Sequence, residues 1–172
     1  MGRSAVRTAI VNYIQSGITA GLIPNLNTAY AYPPKVTPQS DFMPTAIAGA
    51  DNGAVVYLHI VSQNEKRIAI GGTQNGRKWR QYVIGLIVYH YGISTDSQNL
   101  GAENDALMDA LVTHILADRN AGDPSVIFQW GEGSDAGGED IRVQCGMPVL
   151  FQQQGAYIFS TIEVTAVEVI DS

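Results

Sequence analysis

Apolar residues recur along the chain in two distinct rhythms, and these divide it into helices and strands. Val6, Ile10, Tyr13, Ile14 and Ile18 fall at helical spacing, which predicts a first helix over about residues 4–16 with Ser4 as its N-cap and Gly17 and Gly21 weakening its far end. A second helix follows from Leu107, Met108, Leu111, Val112 and Ile115, starting at Ser97 or Asn99. Glu103, Asp105 and Asp109 enrich its beginning with acids that suit the helix dipole, and Arg119 and Gly122 mark its end.

Between the helices the period changes to that of strands. AVVYLHIVS (54–62) reads as a strand, NEKR as a turn, RIAI as a second strand, and KWRQYVIGLIVYHYGIS as a long third strand, an antiparallel meander. After the second helix come VIFQW (126–130), the acidic glycine-rich GEGSDAGGED, IRVQCGMPVLF, and a long closing strand, AYIFSTIEVTAVEVI (156–170). In this last strand Ile158, Ile162, Val164 and Ala166 alternate with Glu163, Thr165 and Val167, so one face is expected to be buried and the other mixed. Residues 23–50 hold five of the seven prolines and are expected to run as an ordered extended excursion anchored by Tyr30, Tyr32, Phe42 and Met43. The expected architecture is a single α+β domain over 1–172. It has an antiparallel or mixed sheet, two main helices, the proline-rich segment and a protruding basic β-hairpin over 64–82.

Composition narrows the chemistry. The apolar share of 45% suits a packed core, and the single cysteine, Cys145, excludes an intramolecular disulfide and reads as a small buried apolar residue. Arg3 and Arg7 interrupt the first apolar residues, so no signal peptide is expected, and no apolar run reaches the length of a membrane span. A soluble protein, intracellular or particle-associated, is the expectation. The net charge of −6 conceals a polarity: residues 1–90 carry eight Lys and Arg against three acids, whereas residues 91–172 carry two against thirteen. The two halves either neutralise each other within one chain or let basic and acidic surfaces of separate subunits meet.

The stretch IAIGGTQNGRKWR (68–80) resembles a phosphate-binding loop only in its glycine spacing. Arg77 follows Gly76, Lys78 is displaced, Trp79 stands where a hydroxyl is needed, and strand rather than helix comes next. Asn75 and Gly76 instead suit a hairpin turn. Around that tip stand Lys66, Arg67, Arg77, Lys78 and Arg80, half of the ten Lys and Arg, with Trp79 among them. They form either a solvated face or a contact with an acidic neighbouring subunit or nucleic acid.

The other candidates are bland. Glu132, Asp135, Glu139 and Asp140 lack calcium-loop spacing, and His59, His90 and His114 lack metal-ligand spacing, although His59 and His90 could be neighbours on paired strands. No nucleophile elbow is present. Neither a catalytic residue nor a cofactor is expected.

The helix from Ser4, the AYAYPPKVTPQSDF segment, the meander from Gly53 to Tyr91, the NDALMDALVTHILADR helix and the closing TIEVTAVEVI together resemble the tail terminator proteins of long-tailed bacteriophages and the related tail-completion and neck proteins. The likeness lies in layout and spans nearly the whole chain. It implies an α+β subunit of a homo-oligomeric ring, typically a hexamer. Such a ring caps the tail tube, stops its polymerisation, and meets the head-completion or neck protein, with DNA passing through the lumen. No membrane and no cofactor are implied. On this reading Lys66, Arg67, Arg77, Lys78, Trp79 and Arg80 contact a subunit or partner. Glu103, Asp105, Glu132, Asp135, Glu139 and Asp140 face the lumen, where acids let DNA slide. Another neck or connector ring protein, or a non-viral oligomeric binding module, is the alternative.

Overall fold

The computed structural model describes residues 2–33, 52–69, 77–92, 97–131, 141–151 and 155–171. Two helices cover one face of a seven-stranded sheet. The elements are α1 (Arg3–Thr19), β1 (Leu26–Tyr30), β2 (Asn52–Ala69), β3 (Arg77–Gly92), α2 (Ser97–Ala117), β4 (Gln129–Gly131), β5 (Arg142–Gln144), β6 (Val149–Phe151) and β7 (Gly155–Asp171). The sheet runs β1-β2-β3-β7-β4, and β5 and β6 also pair with β7. β1 lies parallel to β2 and every other pairing is antiparallel, so the sheet is mixed.

The core follows from strand alternation. Tyr82, Ile84, Leu86, Val88 and His90 of β3 point to the helix-covered face, beside Ala156, Ile158, Ser160, Ile162, Val164 and Ala166 of β7. Val6, Ile10 and Ile14 of α1 and Leu107, Met108, Leu111 and Ile115 of α2 close over that face as one cluster. Burying an apolar side chain of this size contributes roughly 1.5–3 kcal/mol, so this layer is the main source of stability.

Several local expectations change. Helix α1 starts at Arg3 with Gly2 as its N-cap, so Ser4 lies inside the helix, where its carbonyl accepts the Thr8 hydroxyl at 3.0 Å. Gly21, at φ 70°, lets the chain leave the helix in the left-handed conformation that other residues adopt at a cost. Helix α2 starts at Ser97 and has no acid in its first turn. Glu103, Asp105 and Asp109 therefore sit beyond the reach of the dipole contribution expected for them. β1 emerges from the proline-rich segment as a strand that was not foreseen. The remainder of that segment, 34–50, lies outside the described residues.

The NEKR turn does not exist. Residues 64–67 lie within the 18-residue β2, which pairs with β3 from Asn52↔Gly92 to Ala69↔Arg77. These residues are polar because both faces of the sheet are exposed beyond the core. β7 follows β3 to Arg77↔Asp171, so the basic hairpin is accompanied by a third strand. The segments VIFQW and IRVQCGMPVLF shrink to the short strands β4, β5 and β6 lined along the outer edge of β7.

Candidate subunit-interaction surface

The bulge between Ile60 and Ser62 decides which cations of the distal hairpin face where. Before it, even-numbered residues of β2 point to the helix-covered face; after it, odd-numbered ones do, because one extra residue inverts the alternation. Glu65 consequently stands opposite Arg80, and Arg80 stands opposite Glu168 on β7. The Arg80 guanidinium lies 2.6 Å from Glu65 and 3.5 Å from Glu168, and the Tyr82 hydroxyl donates to Glu168 at 2.9 Å. Glu168 is 2% exposed. Burial, and then the Arg80 and Glu168 contacts of opposing sign, leave the Tyr82 hydroxyl pushed up to about 12. Arg80 is thus held in an ion-pair network inside its own chain.

The other members of the predicted basic set divide between the two faces. Lys66 is directly opposite Trp79 on the face without helices, while Arg67 and Lys78 pair on the other face. Lys66 and Arg67 are exposed and Lys78 is half-buried; none of the three has an intramolecular acid partner among the described residues. Arg77 begins β3 opposite Asp171. Trp79 stacks on Phe128 with ring centroids 6.4 Å apart, and the Arg119 guanidinium lies 5.7 Å from the Phe128 centroid. Phe128 is 44% exposed. The sequence reading missed both Phe128, which it placed within a strand, and Arg119, which it took only as a helix end signal. It also missed Glu168, although this acid falls on the inward phase of β7 two residues after Ala166 and could have been flagged by parity alone.

The predicted acidic set separates as well. Glu103 turns toward the sheet, its Oε2 3.9 Å from His90 Nε2. Asp105 and Asp109, one helical turn apart, are exposed. Glu132, Asp135, Glu139 and Asp140 lie outside the described residues. Cys145 is exposed, contrary to the expected buried role. Its thiol is nevertheless raised above the ordinary value, first by partial desolvation and next by Asp105, with Asp109 adding to it. His59 and His90, which paired strands could have made neighbours, are apart: His59 pairs with Gly85 and His90 with Ala54, which puts them on opposite faces. Among the described residues no group of three His, Cys, Asp or Glu is placed to hold a metal ion. Among those residues, no helix is long and apolar enough to cross a membrane.

The face of the sheet away from the helices carries an aromatic row across three strands. Tyr57 stacks on Tyr89 at 6.0 Å, and Tyr89 meets Phe159 edge-on at 5.1 Å. Burial, and then a hydrogen bond with Tyr57, push the Tyr89 hydroxyl to about 12. Phe159 remains 42% exposed and Val61 53% exposed. A row of this kind on an open face suits contact with another surface better than solvent.

No protein-family model and no curated protein matches the chain. Among solved structures, the chain is similar to one from "Virion of native gene transfer agent (GTA) particle", with 12% identity over 95% of this chain and 96% of that one, and a TM-score of 0.32. A superposition at that score falls short of a shared fold.

Proposed function

We propose that this protein is a structural virion protein that forms a homo-oligomeric, hexameric ring at the head-proximal end of a phage tail. There it ends polymerisation of the tail tube protein and offers the surface that a head-completion or neck protein joins. The role is mechanical and needs no catalytic group and no cofactor.

The observation that carries this reading is the division of charge: an acid-poor first half ends in a basic three-stranded extension, while the second half is strongly acidic. A ring whose subunits join basic to acidic surface uses that division directly. The α+β fold class described above agrees with what the resemblance implies. Glu132, Asp135, Glu139 and Asp140 then line the lumen and weaken the hold on passing DNA.

The test is reconstitution. Purified protein added to elongating tail tube protein should stop growth at one end and leave capped tubes of uniform appearance; tubes that lengthen unaffected would refute the terminator role. A version with Asp135→Lys and Glu139→Lys should still cap but should slow DNA passage. Unaltered ejection by particles carrying it counts against the lumen assignment. A neck ring placed elsewhere would cap nothing yet still bind the portal side of the tail.

A further inference from the structure

The described residues leave opposite charges without intramolecular ion-pair partners, Lys66 and Arg119 on one surface and Asp105 and Asp109 on α2. Lys66 and Arg119 flank the Trp79–Phe128 stack, and neither has an intramolecular acid partner among the described residues. Asp105 and Asp109 project from α2, likewise with no hydrogen bond or ion pair among those residues. Asp105 follows Asn104, whose amide donates to Ser160 at 3.2 Å, and Asp109 stands one helical turn further along α2. Trp79 and Lys66, by contrast, lie at the level of Val169. Val169 lies nine residues past Ser160, about 30 Å along β7. Lys66 and Trp79 also occupy the face that α2 leaves uncovered. That separation is several Debye lengths at physiological salt, so Lys66 cannot meet these acids within one chain.

We propose that the Lys66–Trp79–Phe128–Arg119 surface of one copy docks onto the Asp105–Asp109 face of α2 of a second copy. The deepened reading rests on the ring assembly proposed above. The two surfaces differ, so the contact is head-to-tail and propagates around a ring or along a filament rather than closing as a two-fold dimer. Composition favours a protein partner: tryptophan, arginine and an exposed aromatic form the centres of protein interfaces. A nucleobase platform needs open ring faces, whereas the Phe128 ring already carries Trp79 and Arg119 against it.

The experiment is a charge swap on the full chain, read by sedimentation velocity over a range of protein concentrations. Lys66→Glu with Arg119→Glu, and separately Asp105→Lys with Asp109→Lys, should each weaken self-association by about tenfold or more, because like charges then face each other. Combining all four substitutions should restore association to near the native level, which also demonstrates that the altered chains fold. If either double variant assembles like the native chain, or the quadruple variant assembles no better than the doubles, the contact is refuted. Rings that persist in the double variants leave the ring reading standing while this contact falls. A native chain that stays monomeric at every concentration removes both. Single-stranded oligonucleotide binding that is lost in the Lys66/Arg119 variant, with assembly unchanged, assigns the patch to nucleic acid and overturns the proposal.

Discussion

Tyr13 and His114 clasp the two helices together: the Tyr13 hydroxyl donates to the His114 carbonyl at 2.7 Å, His114 Nε2 lies 3.0 Å from the Tyr13 carbonyl, and the two rings stack at 4.2 Å. Gly17 makes room, since a Cβ there would stand 2.7 Å from His114 Nε2. Gly17→Ala should therefore destabilise the fold by about 1–3 kcal/mol, because the imidazole must move and break the clasp. Alanine's better helix propensity offsets at most about 1 kcal/mol of that. Tyr13→Phe should cost about 1 kcal/mol, the net worth of one hydrogen bond. Urea denaturation followed by far-ultraviolet circular dichroism measures both, and an unchanged midpoint for Gly17→Ala would contradict the geometry.

Arg80 and Lys78 are two residues apart on β3 yet should respond very differently to charge reversal. Arg80→Glu leaves Glu168 buried beside a like charge, and breaking such a pair costs roughly 3–5 kcal/mol. Lys78→Glu removes no partner among the described residues and should change stability by about 0.5 kcal/mol or less. Thermal melts separate the two, and equal losses would mean that the Arg80 network carries little energy.

The long elements were legible because each has a continuous period. β7 was expected over 156–170 and spans Gly155–Asp171, and the apolar stripes of both helices are the ones buried. Polar stretches misled the reading. NEKR looked like a turn because strand residues beyond a core need no hydrophobicity, and only the continued pairing of β3 and β7 shows it to be strand. The orientation of the basic residues was hidden by the bulge after Ile60, which reverses the parity of β2 without any glycine or proline to announce it. Phe128 and Arg119 escaped notice because the contacts of Phe128 with Trp79 and Arg119 depend on where the chain returns after α2, a tertiary fact with no local signature.

His90 supplies a pH dependence. It is fully buried between β3 and α2, and among the described residues neither ring nitrogen has a hydrogen-bond partner. Burial lowers its pKa below the ordinary histidine value, and the nearby Glu103, at 3.9 Å, opposes this only in part. The unfolded chain therefore binds a proton more readily than the folded one. The stability at stake is fully present above the ordinary value of about 6.5 and declines as pH falls below it, levelling off once the folded pKa is passed. Melting temperatures at pH 7.5 and 5.5 should show a drop in the native chain that is smaller in His90→Leu. An identical drop in both would place the dependence elsewhere.

Salt should act on assembly more than on folding. Contacts between exposed charges on separate subunits are screened as ionic strength rises, while the apolar layer beneath α1 and α2 is not. Raising salt from about 0.05 M to 0.5 M should shift the sedimentation profile toward monomer and leave the melting temperature nearly unchanged. A ring held mainly by the aromatic row of Tyr57, Tyr89 and Phe159 would instead persist or tighten.

The central claim is that this chain closes on itself into a ring. Negative-stain electron microscopy of the purified protein at low salt, with class averages examined for rotational symmetry, tests it most directly. The account predicts annular particles with a central opening and a single dominant symmetry. Compact monomers or two-fold dimers without a lumen, at concentrations where light scattering shows no larger species, would contradict it.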